Sequence, residues 1–190
     1  SATLKAWSGF ETALDEFEDV LYASDKDWNI ISSKIDVQSF ADYYLISEWV
    51  ENWDTFKSST FCYRDGANDV LHMGPVWDYD SALNNKDESY GVSNPHADYP
   101  MNIQDQQRGE ISLTWFTELM KCQQFREVVQ ERYQHTMRPL LENWSETCND
   151  YRSTLENSAK MEFVRWDLKD QPGTARADES GTWQEDADKR

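Results

Sequence analysis

The sequence lacks the features that mark several large classes of protein. No run of about 18 apolar residues occurs, which argues against a transmembrane helix. Basic residues number 18 against 36 acidic ones, so the formal net charge is −18 at pH 7. A partner such as nucleic acid or an anionic membrane surface requires a basic footprint on the protein. The charge therefore argues against nucleic-acid binding and against association with such membranes.

Glycine and cysteine are also scarce, and each scarcity excludes a kind of site. Seven glycines in 190 residues form no glycine-rich phosphate loop and no P-loop motif. Cys62, Cys122 and Cys148 include no closely spaced metal-binding pair. Cys122 and Cys148 fall on neighbouring predicted helices and could form a disulfide if the chain is secreted. The N-terminal residues lack the pattern of a signal peptide.

Aromatic residues, by contrast, are abundant, and their spacing predicts the fold. The 9 Trp, 9 Tyr and 8 Phe are enough to build the core of one domain or one lobe. Apolar periodicity predicts a mainly α chain with a small β-hairpin, an α+β fold. Helices are predicted over residues 4–22, from Asp36 as N-cap to about residue 54, and near 111–121, 123–138 and 139–159.

The remaining segments are predicted to connect these elements. Residues 60–63 and 70–73 are expected to form the two strands, joined by a turn that contains Asp65-Gly66. Residues 25–35 are expected to be a polar connector, and residues 84–110 a long loop. Residues 169–190 are acidic and aperiodic, which predicts a flexible tail after a domain at 1–168.

Two acidic points stand at the ends of predicted elements in residues 35–83. The second helix ends in Asn52-Trp53-Asp54, and the second strand runs into Trp77-Asp78-Tyr79-Asp80. Kinase-like phosphotransferases use one Asp to orient the substrate hydroxyl and another, after a strand, to hold Mg²⁺. If the strand continues, Asp78 and Asp80 face one ion while Trp77 and Tyr79 face the core.

The same stretch resembles a known family. The run IDVxSFxDYYLxxE, followed by NxD and GPxWDxD, is similar to the CotH family, the spore-coat protein H kinases and their relatives. The run Trp115-Phe116-Thr117-Glu118-Leu119 and the residues from Phe125 to Tyr133 resemble the family's C-terminal helices. The resemblance covers roughly residues 5–168. It implies the C-terminal portion of a CotH kinase-like domain, similar to the helical C-lobe of a protein-kinase-like fold.

The resemblance also implies an activity and a site. It implies a secreted or spore-coat protein kinase that transfers the γ-phosphate of ATP to Ser or Thr of coat or extracellular proteins, with Mg²⁺ or Mn²⁺. Asp54 would be the catalytic residue, and Asp78 and Asp80 the metal ligands. Asn52 and Ser59 would contact the cofactor, and Ser59 takes the position where kinases often carry a metal-binding Asn. The expected partners are a protein substrate or coat protein and a nucleotide, with no membrane insertion.

Other readings of the same residues stay open at this point. Asn52 and Asp54 could cap the end of a helix, and the chain could be a non-catalytic coat or cell-surface interaction module that retains the fold. Glu51 with Asp78 could form the acid pair of a glycosidase, and the acidic loops could hold Ca²⁺. Family domains carry an upstream lobe with a phosphate-binding lysine, which is not recognisable before residue 35. This chain alone is therefore expected to be inactive.

Overall fold

The computed structural model describes residues 2–50, 59–79, 82 and 115–166. This part of the chain is mainly helical with one small antiparallel sheet, which confirms the predicted α+β class. Its elements in chain order are α1 (Ala2–Leu21), α2 (Trp28–Ser32), α3 (Val37–Val50), β1 (Cys62–Tyr63), β2 (His72–Met73), α4 (Trp115–Leu119), α5 (Gln123–Arg132), a π-helical turn (Tyr133–Met137), α6 (Arg138–Glu142) and α7 (Trp144–Trp166). The likeness to a kinase C-lobe stays a prediction, as do the domain boundary at 168 and the flexible tail.

Helix α1 ends where a lysine takes up its free carbonyl groups. Lys26 Nζ donates to the carbonyl oxygens of Leu21 and Ala23. The same ammonium pairs with Glu118 Oε2 at 2.9 Å, which joins the end of α1 to α4. All three donors of the ammonium therefore have acceptors, and the side chain serves as a C-terminal cap.

The segment between α1 and α3 differs from the prediction. Residues 25–35 were expected to form a polar connector, but Trp28–Ser32 form α2. Asp27 is its N-cap, because Asp27 Oδ1 accepts from the backbone N–H of Asn29 at 2.9 Å. Ile31 is buried in the core. The prediction failed because a helix of five residues is too short to show a full apolar period.

Asp36 begins α3 as predicted, and it also ties the helix to the hairpin. Its Oδ1 accepts from the backbone N–H groups of Gln38 at 3.1 Å and Ser39 at 3.2 Å, the arrangement of an N-cap. Its own N–H donates to the carbonyl of Leu71 at 2.8 Å. The start of α3 and the residue before β2 therefore occupy fixed relative positions.

The core lies between α1, α3, α4 and α5. Its fully buried aromatic side chains are Phe17, Phe40, Phe116 and Phe125. The Phe40 ring meets Phe17 edge to face with centroids 5.8 Å apart, and it lies 6.0 Å from Phe116. Such ring pairs add about 0.5–1.5 kcal/mol beyond the burial of area. Contacts between aromatic rings therefore join α1, α3 and α4 at the centre of the fold.

The C-terminal helices break at a different residue from the one predicted. Pro139 was expected to lie in the first turn of a new helix and to mark its break from the helix before. It does lie in the first turn of α6, where its missing N–H costs nothing, but the chain stays helical across it. The π-helical turn precedes it, so the regular α-helical bonding is already interrupted there. The break falls instead at Asn143. Helix α7 then runs for 23 residues.

Two further expectations concern a disulfide bond and a membrane-spanning helix. Cys62, Cys122 and Cys148 all carry free thiols, so the conditional disulfide between Cys122 and Cys148 is not formed. Within the described ranges, no helix has the length and apolar character needed to cross a bilayer. Helix α7 approaches α3 through Trp144, whose ring meets Trp49 edge to face at 4.8 Å.

Candidate functional site

Two residues at the base of the hairpin adopt a left-handed backbone. Ser59 has a φ of 52° and Asp78 a φ of 59°, and within the described part of the chain they are the non-glycine residues with positive φ. A side chain in this region costs free energy that the surrounding structure must offset. Residues of this kind cluster at functional sites. The base of the hairpin is therefore the candidate site.

Close packing of the backbone brings the two residues to the same end of the hairpin. Cys62 pairs with Met73, and just outside this pair the N–H of Gly74 donates to the carbonyl of Phe61 at 2.7 Å. A Cβ at position 74 would lie 2.9 Å from that carbonyl oxygen, closer than real Cβ atoms approach. Glycine is required here because two backbone segments touch.

Two side-chain hydroxyls of α3 contact the residues that follow Ser59 and Asp78. Tyr43 Oη donates to Thr60 Oγ1 at 3.2 Å, and Ser47 Oγ lies 2.9 Å from Tyr79 Oη. Tyr43 and Ser47 are four residues apart, so they share one face of the helix. Thr60 and Tyr79 each follow a left-handed residue directly. We call Tyr43, Ser47, Thr60 and Tyr79 the hydroxyl layer.

Burial keeps part of this layer neutral. Removal from water raises the pKa of Tyr43 well above its ordinary value, and its neighbours Thr60 and Tyr79 modify that effect. A phenol with a raised pKa holds its proton at physiological pH and remains a hydrogen-bond donor. Its ring also stacks on Phe116 with centroids 6.0 Å apart. The layer therefore joins the aromatic core to the site.

The exit of the hairpin corrects two predictions. Strand β2 ends at Met73, and the chain from Gly74 to Asp78 forms no ladder. The alternation that was to place Asp78 and Asp80 on one side of a strand does not apply, because the left-handed turn at Asp78 redirects the chain. Trp77 was expected to face the core, but it is 62% exposed. The Asp78 side chain is exposed as well.

An exposed aromatic pair borders Asp78. Phe61 is 51% exposed, and its ring meets Trp77 edge to face with centroids 6.3 Å apart. Tyr79, in contrast, points at Ser47 and is half-buried. Consecutive residues of the WDYD run thus point to solvent and to α3. In the sequence, Asp78 stands between Trp77, which belongs to the exposed aromatic pair, and Tyr79, which belongs to the hydroxyl layer.

His72 has a structural role in the hairpin. Its Nδ1 lies 3.0 Å from Asp36 Oδ2 and its Nε2 lies 3.1 Å from Asp69 Oδ2. Its ring stacks on Tyr63 with centroids 5.1 Å apart. Because both ring nitrogens have carboxylate partners and one ring face stacks on Tyr63, this imidazole joins the hairpin turn to the start of α3. Contacts with Asp36, Asp69 and Tyr63 hold the imidazole in place.

Arg132 is also structural. Its Nε and Nη2 donate to the two carboxylate oxygens of Asp42 at 2.8 and 2.7 Å. This two-point contact joins α5 to α3, the helix that carries the hydroxyl layer. Hydrogen bonding to Asp42 raises the pKa of Arg132, so its charge persists at every accessible pH.

Of the five predicted site residues, the structure describes two. Ser59 and Asp78 lie at the same end of the hairpin, whereas Asn52, Asp54 and Asp80 fall outside the described residues. Their assigned roles stay predictions. Sequence reasoning missed Ser47 and treated Tyr43 and Tyr79 as core residues. The available signal was a small polar residue in the middle of the apolar face of α3, four positions after a tyrosine.

Asp78 is the oxygen donor at this site that a magnesium ion could use. No cluster of three or more metal-ligating side chains occurs among residues 2–50, 59–79, 82 and 115–166. Mg²⁺ in phosphoryl-transfer sites binds through one or two carboxylates, with phosphates and water supplying the other ligands. A single exposed carboxylate on a constrained backbone fits that requirement. It does not fit a structural zinc or calcium cage.

Comparison with known proteins defines the class and then the family. The family model described as CotH kinase protein matches residues 1–189, which is essentially the whole chain. The protein is therefore of a kinase class, and the chain belongs to the CotH kinase protein family. This confirms the resemblance found in the sequence and extends it past residue 168. No curated protein matches the chain, and no solved structure does.

Proposed function

We propose that the protein is a Mg²⁺-dependent protein kinase that transfers the γ-phosphate of ATP to a Ser or Thr hydroxyl of a coat or extracellular protein. The observation that carries the proposal is the left-handed, exposed Asp78 at the base of the hairpin. It stands at the position where the family resemblance expects a metal ligand. Membership of the CotH kinase family supports the reaction class.

Asp78 would hold the metal on the phosphate side of the site. Asp80, two residues later, would be the second ligand or contact a second ion. Mn²⁺ would serve in place of Mg²⁺, because both ions prefer oxygen ligands. When bound, the ion neutralises charge on the β- and γ-phosphates. The protein would position the Asp78 carboxylate, because the chain there lies between the hairpin and the contact of Tyr79 with Ser47 on α3.

Asp54 would act on the acceptor side. A carboxylate near the acceptor hydroxyl orients that hydroxyl and accepts its proton as the phosphoryl group is transferred. Asp54 lies four residues after the end of α3, and Ser59 lies five residues after Asp54. Asn52 and Ser59 would contact the nucleotide or its metal. A hydroxyl at position 59 is a weaker metal ligand than an amide, so we expect one dominant ion.

A second candidate function has its own support. Ser59 replaces the expected Asn, and Phe61 and Trp77 expose apolar surface at the candidate site. A protein that retains the fold but binds partners without catalysis would show both features. In that case the activity is absent while the aromatic surface still binds a coat or cell-surface protein.

The transfer of labelled γ-phosphate to secreted proteins separates these candidates. We expect the full-length protein that contains this chain to label an acceptor in the presence of Mg²⁺ and ATP. Asp54→Asn and Asp78→Asn should each reduce labelling by about 10³-fold or more, because each removes a group required in the transition state. The change should lie in kcat for Asp54→Asn and in metal dependence for Asp78→Asn.

Asp65→Asn is the matched control. Asp65 is an exposed acid in the turn at the opposite end of the same hairpin. Its replacement removes the same charge and should leave labelling within about 2-fold. Activity of Asp78→Asn equal to that of the wild type would refute the metal assignment. A complete absence of labelling in the wild type, with retained binding to coat proteins, would favour the non-catalytic candidate.

A further inference from the structure

Ser47 is an unusual residue to find on the buried face of α3. It is fully buried, with 0% of its surface exposed, although its hydroxyl is polar. A buried hydroxyl costs free energy unless it is hydrogen-bonded, and serines inside helices usually satisfy this need with a carbonyl one turn earlier. Here the Ser47 hydroxyl lies 2.9 Å from Tyr79 Oη instead, 32 residues further along the chain.

That bond ends one residue from the proposed metal ligand. Asp78 has a φ of 59°, and the peptide bond after it leads directly into Tyr79. A left-handed aspartate persists only when surrounding contacts fix it. The hydroxyl of Tyr79 is held by Ser47, and the backbone of Tyr79 is linked to Asp78 by the peptide bond. The backbone at Asp78 is therefore tied to α3 through Tyr79.

We infer that the Ser47–Tyr79 hydroxyl pair positions the Asp78 carboxylate for metal binding, so that both residues are positioning residues of the reaction. This inference rests on the proposed function, because it assigns the pair a role toward the metal that Asp78 would hold. Neither Ser47 nor Tyr79 needs to touch the ion or the substrate. Partners that orient a metal ligand typically change metal affinity by about 10- to 100-fold when removed.

The same helix offers a matched contact that should not affect the metal. Ser39 Oγ accepts from the backbone N–H of Met73 at 3.1 Å, so it also joins α3 to the hairpin through one hydroxyl. It lies two helical turns before Ser47 and meets β2 rather than the exit turn. A purely structural account predicts similar consequences for Ser39→Ala and Ser47→Ala. The positioning account predicts different ones.

The test measures metal binding without turnover. The full-length protein is titrated into Mn²⁺ and ATP, and the relaxation rate of water protons measures how much Mn²⁺ is bound to the protein. Ser47→Ala and Tyr79→Phe should each weaken Mn²⁺ binding by about 10-fold or more. The effects of the two changes should be less than additive in the double variant, since both remove the bond between Ser47 and Tyr79. Ser39→Ala should bind like the wild type.

Thermal unfolding of the same variants separates positioning from loss of fold. Each assay is run below the lowest midpoint, so that every variant is folded. The inference is overturned if Ser47→Ala and Tyr79→Phe bind Mn²⁺ like the wild type, or if Ser39→Ala weakens binding as much as they do. A wild type that binds no Mn²⁺ with ATP refutes the proposed function together with the inference. Normal wild-type binding with unchanged variants refutes the inference alone.

Discussion

Two stretches along the buried face of α3 differ in what holds them. The first carries Phe40, which is packed among the rings of α1 and α4. The second carries Tyr43 and Ser47, one and two helical turns further on, whose hydroxyls reach the chain on either side of the hairpin. Packing of rings is stabilising over a broad range of geometries, whereas a buried hydroxyl requires one partner at one distance.

The two stretches contribute differently to stability and to the geometry of the site. The aromatic stretch supplies free energy of folding, because it removes large apolar surfaces from water. The hydroxyl layer supplies little net free energy, since each of its bonds replaces a bond to water. Its bonds nevertheless hold the chain next to Ser59 and Asp78. Substitutions in the two stretches should therefore change different measured quantities.

Truncation in the aromatic stretch of α3 should have the largest effect on stability. Phe40→Ala should lower the free energy of unfolding by about 3–5 kcal/mol, because it leaves a cavity among fully buried rings. Urea denaturation measures this change. Tyr151→Ala, on an exposed position of α7, should change it by less than about 0.5 kcal/mol. Equal effects of the two substitutions would contradict the assignment of the core.

Loss of the charge on Glu118 should rank second. Glu118 is 5% exposed, and its carboxylate pairs with Lys26 at 2.9 Å and with Lys121 at 2.5 Å. Glu118→Gln should lower the free energy of unfolding by about 2–3 kcal/mol at pH 7, because Lys26 then lacks its counter-charge. Glu146→Gln, at an exposed site on α7, is the control and should have little effect.

The effect of Glu118 should also depend on pH. Burial alone would raise the pKa of Glu118, but hydrogen bonds from Lys121 and Lys26 outweigh it, and the net pKa is lowered. The folded state therefore favours the ionised form. Its contribution is complete above the ordinary Glu pKa of about 4.3 and is lost as the pH falls through the lowered value. The gap between the wild type and Glu118→Gln should narrow only in acid, and a gap that is constant down to pH 3 would contradict this.

A methyl group at position 74 should affect both the stability of the fold and the candidate site. Gly74→Ala places Cβ 2.9 Å from the carbonyl oxygen of Phe61, so the two backbone segments must separate. We expect a loss of about 1–3 kcal/mol in stability and a weaker nucleotide site. Gly66→Ala, where a Cβ would meet nothing within 4 Å, is the matched control. The close approach would be unimportant if both variants unfold at the same urea concentration.

The smallest predicted effect concerns the contact between α5 and α3. Arg132→Lys retains the charge but loses the two-point contact with Asp42. Because both side chains are partly exposed, we expect a loss of about 0.5–1 kcal/mol. A double-mutant cycle with Asp42→Asn measures the coupling. A coupling energy near zero would mean that the pair does not hold α5 against α3.

Particular residues show how far the sequence could predict the structure. The stripe through Phe10, Leu14 and Phe17 predicted α1, and Asp36 predicted the start of α3, because both signals are local. The hairpin followed from the Asp65-Gly66 turn signal. The helix α2 was missed because five residues are too few for a period.

The site was harder to predict than the fold because its supports are not local. The exposure of Trp77 depends on the left-handed turn at Asp78, and nothing in the local pattern distinguishes that turn from a continued strand. The bond between Ser47 and Tyr79 joins residues 32 positions apart. Residue type and family resemblance identified Asp78 as a candidate, but only the fold could identify what holds it.

The central claim is that Asp78 holds a metal that binds the nucleotide. Isothermal titration of the full-length protein with ATP, with and without Mg²⁺, tests it most directly when Asp78→Asn and Asp65→Asn are measured beside the wild type. The account predicts metal-dependent binding of ATP by the wild type and by Asp65→Asn, and loss of the metal dependence in Asp78→Asn. Mg²⁺-dependent ATP binding that is unchanged in Asp78→Asn would contradict it.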